Sequence, residues 1–468
     1  MKLQIFTLLS HITLYVLFPF IHSQEQKEIR FAFEIFRHGA RSPYNNLNST
    51  FHDWFGFQWE GTKELTSVGL RQHYLIGYSN RIRYINQTNL LSSSYDPREI
   101  FIISTDSNRT ILSANAQLQG LYPPGTGPTL TPTQQDNAVP PNNMTNFDEA
   151  KNELGELALP NQTTIAPVHS FFTGDHYIQL QDKKVCPAFK TYYNNIRTTG
   201  NFTKFLNYLE SKYGKNITSI VPSFKEGMFS KYENAYSILD DIIASSVDGR
   251  DLSFLDNVTN SNITKEEMIK DAYDFFLLDF NMTQQDRNLI GLIAMSPIFN
   301  QIQEWMNKKI SLDKQNDINY KEFDMPRFVM YSAHDTTVAA FEYFMEAVFN
   351  CRINYPYFAS HANLELVKYG TNVGSDIKDS DYFVEFFFDD EYITSINYVD
   401  FINQLTLKSK TMKDIEEFCN FPKEDDSYIY LIVIAIVFIL MDILFIGGII
   451  YIWLTKCRYT SKKELLVL

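Results

Sequence analysis

The segment Arg37-His38-Gly39-Ala40-Arg41-Ser42-Pro43 constrains this chain more than any other. It follows Phe31-Ala32-Phe33-Glu34-Ile35-Phe36, a short apolar and aromatic run of the kind that forms a buried strand. Two arginines and a histidine at a strand end do not read as core, because arginine is rarely buried without a partner. An anion is therefore expected there. Gly39 lets the backbone approach it closely, and Pro43 stops the segment from continuing as strand.

Two more strand ends carry similar chemistry. Residues 100–103 are an apolar strand candidate that runs into Ser104-Thr105-Asp106-Ser107-Asn108-Arg109-Thr110, with a helical pattern on to Leu121. Residues 327–333 are a third, followed by His334-Asp335 and a helical run over 336–349. Strand–loop–helix units with polar residues at the strand ends fit an open α/β sheet, whose ligands bind beyond those ends. With the three strands as neighbours, Arg37, His38, Arg41, Arg109, His334 and Asp335 converge. Three guanidiniums, two imidazoles and a carboxylate suit a compact, multiply charged anion. Phosphate matches best, since arginine forks pair bidentately with its oxygens.

The residue types also set the expected reaction. The sequence has no Asp/Glu/His cluster at metal spacing and no Gly-rich phosphate cradle followed by Lys, so neither a metal nor a cofactor is expected. An imidazole is then the natural nucleophile. His38, between two arginines, should be a poor cation and keep a neutral nitrogen for attack on phosphorus. The arginines and His334 would stabilise charge on the equatorial oxygens, and Asp335 would protonate the leaving oxygen. Water would then hydrolyse a phosphohistidine.

The rest of the chain gives the setting. Lys plus Arg is 41 and Asp plus Glu is 55, a formal charge of −14, which argues against a nucleic-acid partner. Residues 1–23 read as a secretory signal peptide: Lys2, an apolar run through Phe20, then small Ser23. Residues 428–454 are almost continuously apolar and long enough to span a bilayer. Asp425 and Asp426 precede them and Lys456, Arg458, Lys462 and Lys463 follow, so the expected topology is a single-pass type I protein with a cytosolic tail over 455–468. Asp442 sits inside that span and names no partner helix. Sequons at Asn48, Asn86, Asn108, Asn143, Asn161, Asn201, Asn216, Asn257, Asn262 and Asn281 agree with a lumenal or extracellular body. On that side Cys186, Cys351 and Cys419 allow one disulfide and one leftover thiol, while Cys457 abuts the membrane as a palmitoylation candidate or an inert thiol.

The expected organisation is an α/β domain over 24–130 and 320–424, interrupted by a mainly helical cap over 131–319. A Pro/Gly/Thr/Asn-rich stretch at 123–146 marks the exit, and 202–213, 233–246 and 265–280 have helical spacing. Further strands are predicted at 364–368 and 382–388, the latter turning through Asp389-Asp390-Glu391 into a hairpin partner.

Taken in order, RHGARSP, STDSNRT and YSAHDTT resemble the histidine acid phosphatases, the branch of the phosphoglycerate-mutase-like superfamily that includes the prostatic and lysosomal enzymes. Residues 65–74, Leu121-Tyr122-Pro123-Pro124 and Cys186-Pro187 are similar as well. The resemblance implies a phosphoglycerate-mutase-like α/β fold with a helical cap and no metal. It implies His38 as the phosphorylated nucleophile, Arg37, Arg41, Arg109 and His334 as phosphate ligands, and Asp335 as proton donor. It pairs Cys186 with Cys419, leaves Cys351 over, and sets Asn108 against a catalytic arginine, where a glycan does not fit. The chain departs from the family at Ile103, where an arginine is common, and most of all in the cap, which leaves the substrate open. The expected function is a membrane-anchored acid phosphatase at a lysosomal, phagosomal or cell-surface membrane, with a homodimer as the candidate oligomer. One alternative is an inositol polyphosphate phosphatase, ranked lower because the cap is acid-rich. The other is a catalytically silent phosphate-binding membrane receptor, ranked lower because binding alone has no need of Asp335.

Overall fold

The computed structural model describes residues 27–44, 59, 61–140, 147–171, 180–182, 184–220, 227–253, 255, 264–280, 282–317, 320–322, 325–351, 356–421, 433–441, 443–444, 446 and 448–451. Two units are present, Met1–Ile415 and Glu416–Leu468.

The first unit is built on seven strands: β1 (Lys27–Arg37), β2 (Ile100–Thr105), β3 (His169–Phe171), β4 (Phe328–Ala333), β5 (His361–Tyr369), β6 (Tyr382–Phe388) and β7 (Glu391–Asn397). They form one sheet in the order β3-β2-β4-β1-β5-β6-β7. The first four pair in parallel, and β5, β6 and β7 add on as an antiparallel wing beside β1. β1 and β4 are buried on both faces along most of their length, as central parallel strands are. That double burial explains their largely apolar sequence, in which Glu34 is a buried exception. The β6–β7 turn falls at Asp389 and Asp390, both at positive φ, the conformation a tight hairpin turn needs.

Helices cover both faces. α1 (Ser67–Asn80) starts at Thr66, whose hydroxyl accepts from the Gly69 N–H, and packs along α2 (Asn108–Leu121). The helices α3 (Ala188–Arg197), α4 (Gly200–Leu209), α5 (Tyr232–Val247) and α6 (Lys265–Phe280) pack together: Phe202, Tyr232, Phe275 and Phe276 of the last three meet tilted, edge to face or stacked, and Arg197 of α3 lies over the Tyr232 ring. α7 (Gln284–Lys314) runs through Pro297 and packs on α8 (Asp335–Phe349), with Phe299 and Phe344 stacked at 3.9 Å. α9 (Tyr398–Lys408) closes the wing. The sheet takes in β3, and α7 lies on β1 and α8, although both come from residues 131–319, which the sequence assigns to the cap. A strand of three residues is too short to show alternation.

Cys186 and Cys419 each take part in a disulfide, and Cys351 is a buried free thiol. Cys457, Asp442, the predicted signal peptide and the sequons at Asn48, Asn143, Asn257, Asn262 and Asn281 lie outside the described residues. In the second unit, residues 433–441 are helical with exposed apolar side chains. Among the described residues no helix is long and apolar enough to cross a membrane; 428–432 and 452–454 of the predicted span are outside them.

Candidate active site

β2, β4 and β1 are consecutive in the sheet and parallel, with Arg37 level with Ala333 and Ser104 level with Ser332. Their carboxyl ends therefore open on one crevice, and the six residues singled out in the sequence stand around it. The loop that carries His38 is held by its backbone. The Arg37 N–H donates to Ser360 O (2.9 Å) and the His38 N–H to Ala333 O (3.0 Å). The Gly39 N–H donates to Ser113 Oγ (3.1 Å) and the Ala40 N–H to Gln72 Oε1 (2.8 Å). The first turn of α1 lies directly on this loop. A Cβ on Gly39 would sit 2.5 Å from Gly69 O, and one on Gly69 would sit 2.3 Å from Ala40 O, so neither position has room for a side chain.

His38 is buried, and its Nδ1 lies 2.9 Å from Gly39 O. A carbonyl only accepts, so Nδ1 carries the proton and Nε2 keeps a free lone pair in the neutral ring. Burial lowers the His38 pKa well below its ordinary value, and Arg109, Arg37, His334 and Arg41 add to the effect. The ring is thus neutral and nucleophilic even in acid.

The three arginines are held differently. Arg37 donates to Pro356 O (2.9 Å), pairs with Asp335 Oδ2 (2.9 Å) and lies over the Phe358 ring at 4.2 Å. Arg41 makes a two-pronged pair with Asp240 of α5. Burial alone would lower its pKa, but Asp240 outweighs that and raises it. Arg109, at the start of α2, is held below its ordinary value by burial and by Arg41. Guanidiniums that repel one another around one space suit an anionic ligand.

His334 donates from Nε2 to Thr105 Oγ1 (3.0 Å) and accepts at Nδ1 from Arg109 Nη2 (3.4 Å). Burial and Arg109 push its pKa down to about 3. Asp335 accepts the Thr336 N–H (2.8 Å) at Oδ1. Burial would raise its carboxyl, but Arg37 holds it below the usual carboxylate range. The site therefore sets a neutral histidine, its Nδ1 committed to Gly39 O, among fixed positive charge, with an ionised carboxylate at its edge. Asp240, Phe358, Ser113 and Gln72 were not singled out by sequence reasoning. Among the described residues no group of three or more His, Cys, Asp or Glu side chains is placed to hold a metal ion.

The family model for the histidine phosphatase superfamily (branch 2) matches residues 28–389. A lysosomal acid phosphatase of Xenopus laevis is 26% identical over 346 residues, covering 74% of this chain and 68% of that protein. A prostatic acid phosphatase of Bos taurus is 25% identical over 374 residues, covering 78% of each. Among solved structures, the Klebsiella sp. ASR1 phytase shares the fold at a TM-score of 0.50 and 13% identity, covering 82% of this chain and 97% of that one.

Proposed function

The chain belongs to the histidine phosphatase superfamily, branch 2, and on that premise we propose that it is an acid phosphatase that hydrolyses phosphate monoesters through a phosphohistidine on His38. The observation that carries this reading is the state of His38: its Nδ1 is committed to Gly39 O, its Nε2 is free, and three arginines surround it. The bound ester would draw Arg37 and Arg109 onto its oxygens, with Arg41 adding fixed charge. Attack by Nε2 forms the N–P bond as the ester C–O–P oxygen departs with a proton, and water then returns the phosphoryl group as inorganic phosphate. His334 would donate its Nε2–H to a phosphate oxygen in place of Thr105 Oγ1. The inositol polyphosphate alternative would need further cations around the crevice. Among the described residues the side chains beside the arginines are Asp240, Asp335, Tyr44 and Phe358, with one further cation, Lys63, over the Tyr44 ring at 3.9 Å. The test is an acid-labile trap. Protein mixed with a labelled aryl phosphate at pH 5 and stopped in alkali should retain one alkali-stable, acid-labile phosphate, mapped to the peptide that contains His38. Label on a serine, or none under turnover, rejects the mechanism.

The same proposal includes a membrane anchor at 428–454, supported by the apolar run and by the charges that flank it. Full-length protein should stay with membranes through alkaline carbonate washing, whereas a chain ending at Asp425 should be released. Release of the full-length chain would reject the anchor.

A further inference from the structure

Asp240 lies in the middle of α5, far from the catalytic loop in sequence, yet it is 4% exposed and points into that loop. Arg41 Nη2 donates to Asp240 Oδ1 at 2.8 Å and Nη1 to Oδ2 at 3.1 Å, while Nη1 also donates to Ser42 O at 3.0 Å. The Tyr44 N–H donates to the same Oδ2 at 2.6 Å, so one carboxylate holds both the guanidinium and the backbone just past Pro43. Tyr236, one turn earlier on α5, packs edge-on against Tyr44 with centroids 6.1 Å apart. The neighbouring Asp241 makes no such contact; burial pushes its carboxyl up to about 7, with the Asp240 charge adding to the effect.

A buried ion pair is a poor stabiliser, because desolvating both charges offsets most of their attraction. Its strength is orientation: a planar fork gripped on two nitrogens has one direction left in which to face. We propose that Asp240 is a positioning residue for phosphoryl transfer, fixing Arg41 so that its charge is presented to the transferring phosphoryl group rather than folded onto the bound ester. Asp240 and Ser42 O take three of the four terminal N–H groups of Arg41, so its direction is fixed before the ester binds, whereas Arg37 must turn from Asp335 to grip the phosphate. Removing Asp240 therefore affects the transition state more than binding. This inference rests on the phosphatase reading above.

Asp240→Asn keeps the volume and one acceptor but turns the second prong into a donor facing a donor. With an aryl phosphate its kcat should fall about 10- to 100-fold while KM stays within about threefold. Arg41→Lys cannot make the fork, so adding Asp240→Asn to it should cost less than about threefold more. A purely structural role would instead multiply the two losses. The inference is overturned by a parent-like kcat in Asp240→Asn, or by full additivity with Arg41→Lys. If Asp240→Asn does not accumulate folded, Asp240→Glu carries the same comparison: its carboxylate is kept but displaced, so lower kcat at unchanged KM supports the inference and a parent-like kcat overturns it. Inactivity of His38→Ala beside an unaffected Asp240→Asn sinks this inference alone, whereas an active His38→Ala sinks the phosphatase mechanism beneath it.

Discussion

Replacing His38 with alanine should lower kcat for an aryl phosphate by roughly ten-thousand-fold or more, with the arginines still able to bind phosphate. That is about 5 kcal/mol or more of transition-state stabilisation, a cost expected when the nucleophile itself is lost. Three features make His38 irreplaceable here. Its Nδ1–H is tied to Gly39 O, which aims Nε2 and fixes its lone pair. Burial and the arginines keep the ring neutral in acid, where an ordinary histidine would be protonated and inert. Its backbone is anchored to Ala333 O and Ala359 N, at the ends of β4 and of the loop before β5, so no neighbouring side chain can swing in as a substitute. His334 is the nearest other imidazole, its ring centroid 5.7 Å away, but its two nitrogens are engaged by Thr105 and Arg109. The measurement is steady-state hydrolysis at pH 5, with inorganic phosphate protection against thermal unfolding as the control for an intact site. A His38→Ala protein within about tenfold of the parent would show that another group attacks phosphorus.

The parts legible in the sequence are those where chemistry is concentrated in a short stretch. Arg37, His38, Arg41, Arg109, His334 and Asp335 were readable because each follows an apolar strand, where polar residues of these types have few other reasons to be. The strand pattern was readable because β1, β2 and β4 are buried along most of their length and so are largely apolar, with Glu34 of β1 a buried exception bonded by Asn80 and Gln117. Asp240 was not, since an aspartate on a helix normally faces solvent and its partner lies 199 residues away. Ser113 and Gln72 escaped for the same reason: they are ordinary helix residues, and what they hold is a backbone N–H, which leaves no trace in composition. Phe358 is one of many phenylalanines, distinguished only by lying under Arg37. Pro297 misleads in the opposite direction. A proline inside a helical pattern argues for a break, because it removes one backbone donor and crowds the preceding turn, yet α7 continues past it with its apolar face on α8. Tertiary packing outweighs the local penalty.

Asp335 presents a sharper problem, and its solution is a second large effect. It is ionised: against burial, Arg37 holds it below the usual carboxylate range, and Thr336 N–H bonds its other oxygen. His38 is neutral and its Nδ1 proton is committed, and His334 is neutral as well. None of these three groups therefore carries a proton to hand to a departing alcohol. The ester must bring it. A monoester carries a second proton below a pKa of about 6, so in acid it arrives as the monoanion. Once the phosphate oxygens take Arg37, the added negative charge raises Asp335, which collects that proton and passes it to the leaving oxygen. The sign follows. As pH rises through about 6 the ester becomes a dianion, no proton enters, and kcat/KM should fall. As pH drops, activity should persist until His38 itself protonates, well below its ordinary 6.5. Asp335→Ala should then lose about 10²- to 10⁴-fold in kcat/KM on an alkyl phosphate, whose leaving group needs the proton. On a nitrophenyl phosphate, whose leaving group departs as a stable anion, the loss should be smaller by an order of magnitude or more. The comparison is made in kcat/KM, which reports only the steps up to departure of the alcohol, so slow hydrolysis of the phosphohistidine does not obscure it. Equal losses on both esters would remove Asp335 as the acid and leave it as the partner that orients Arg37.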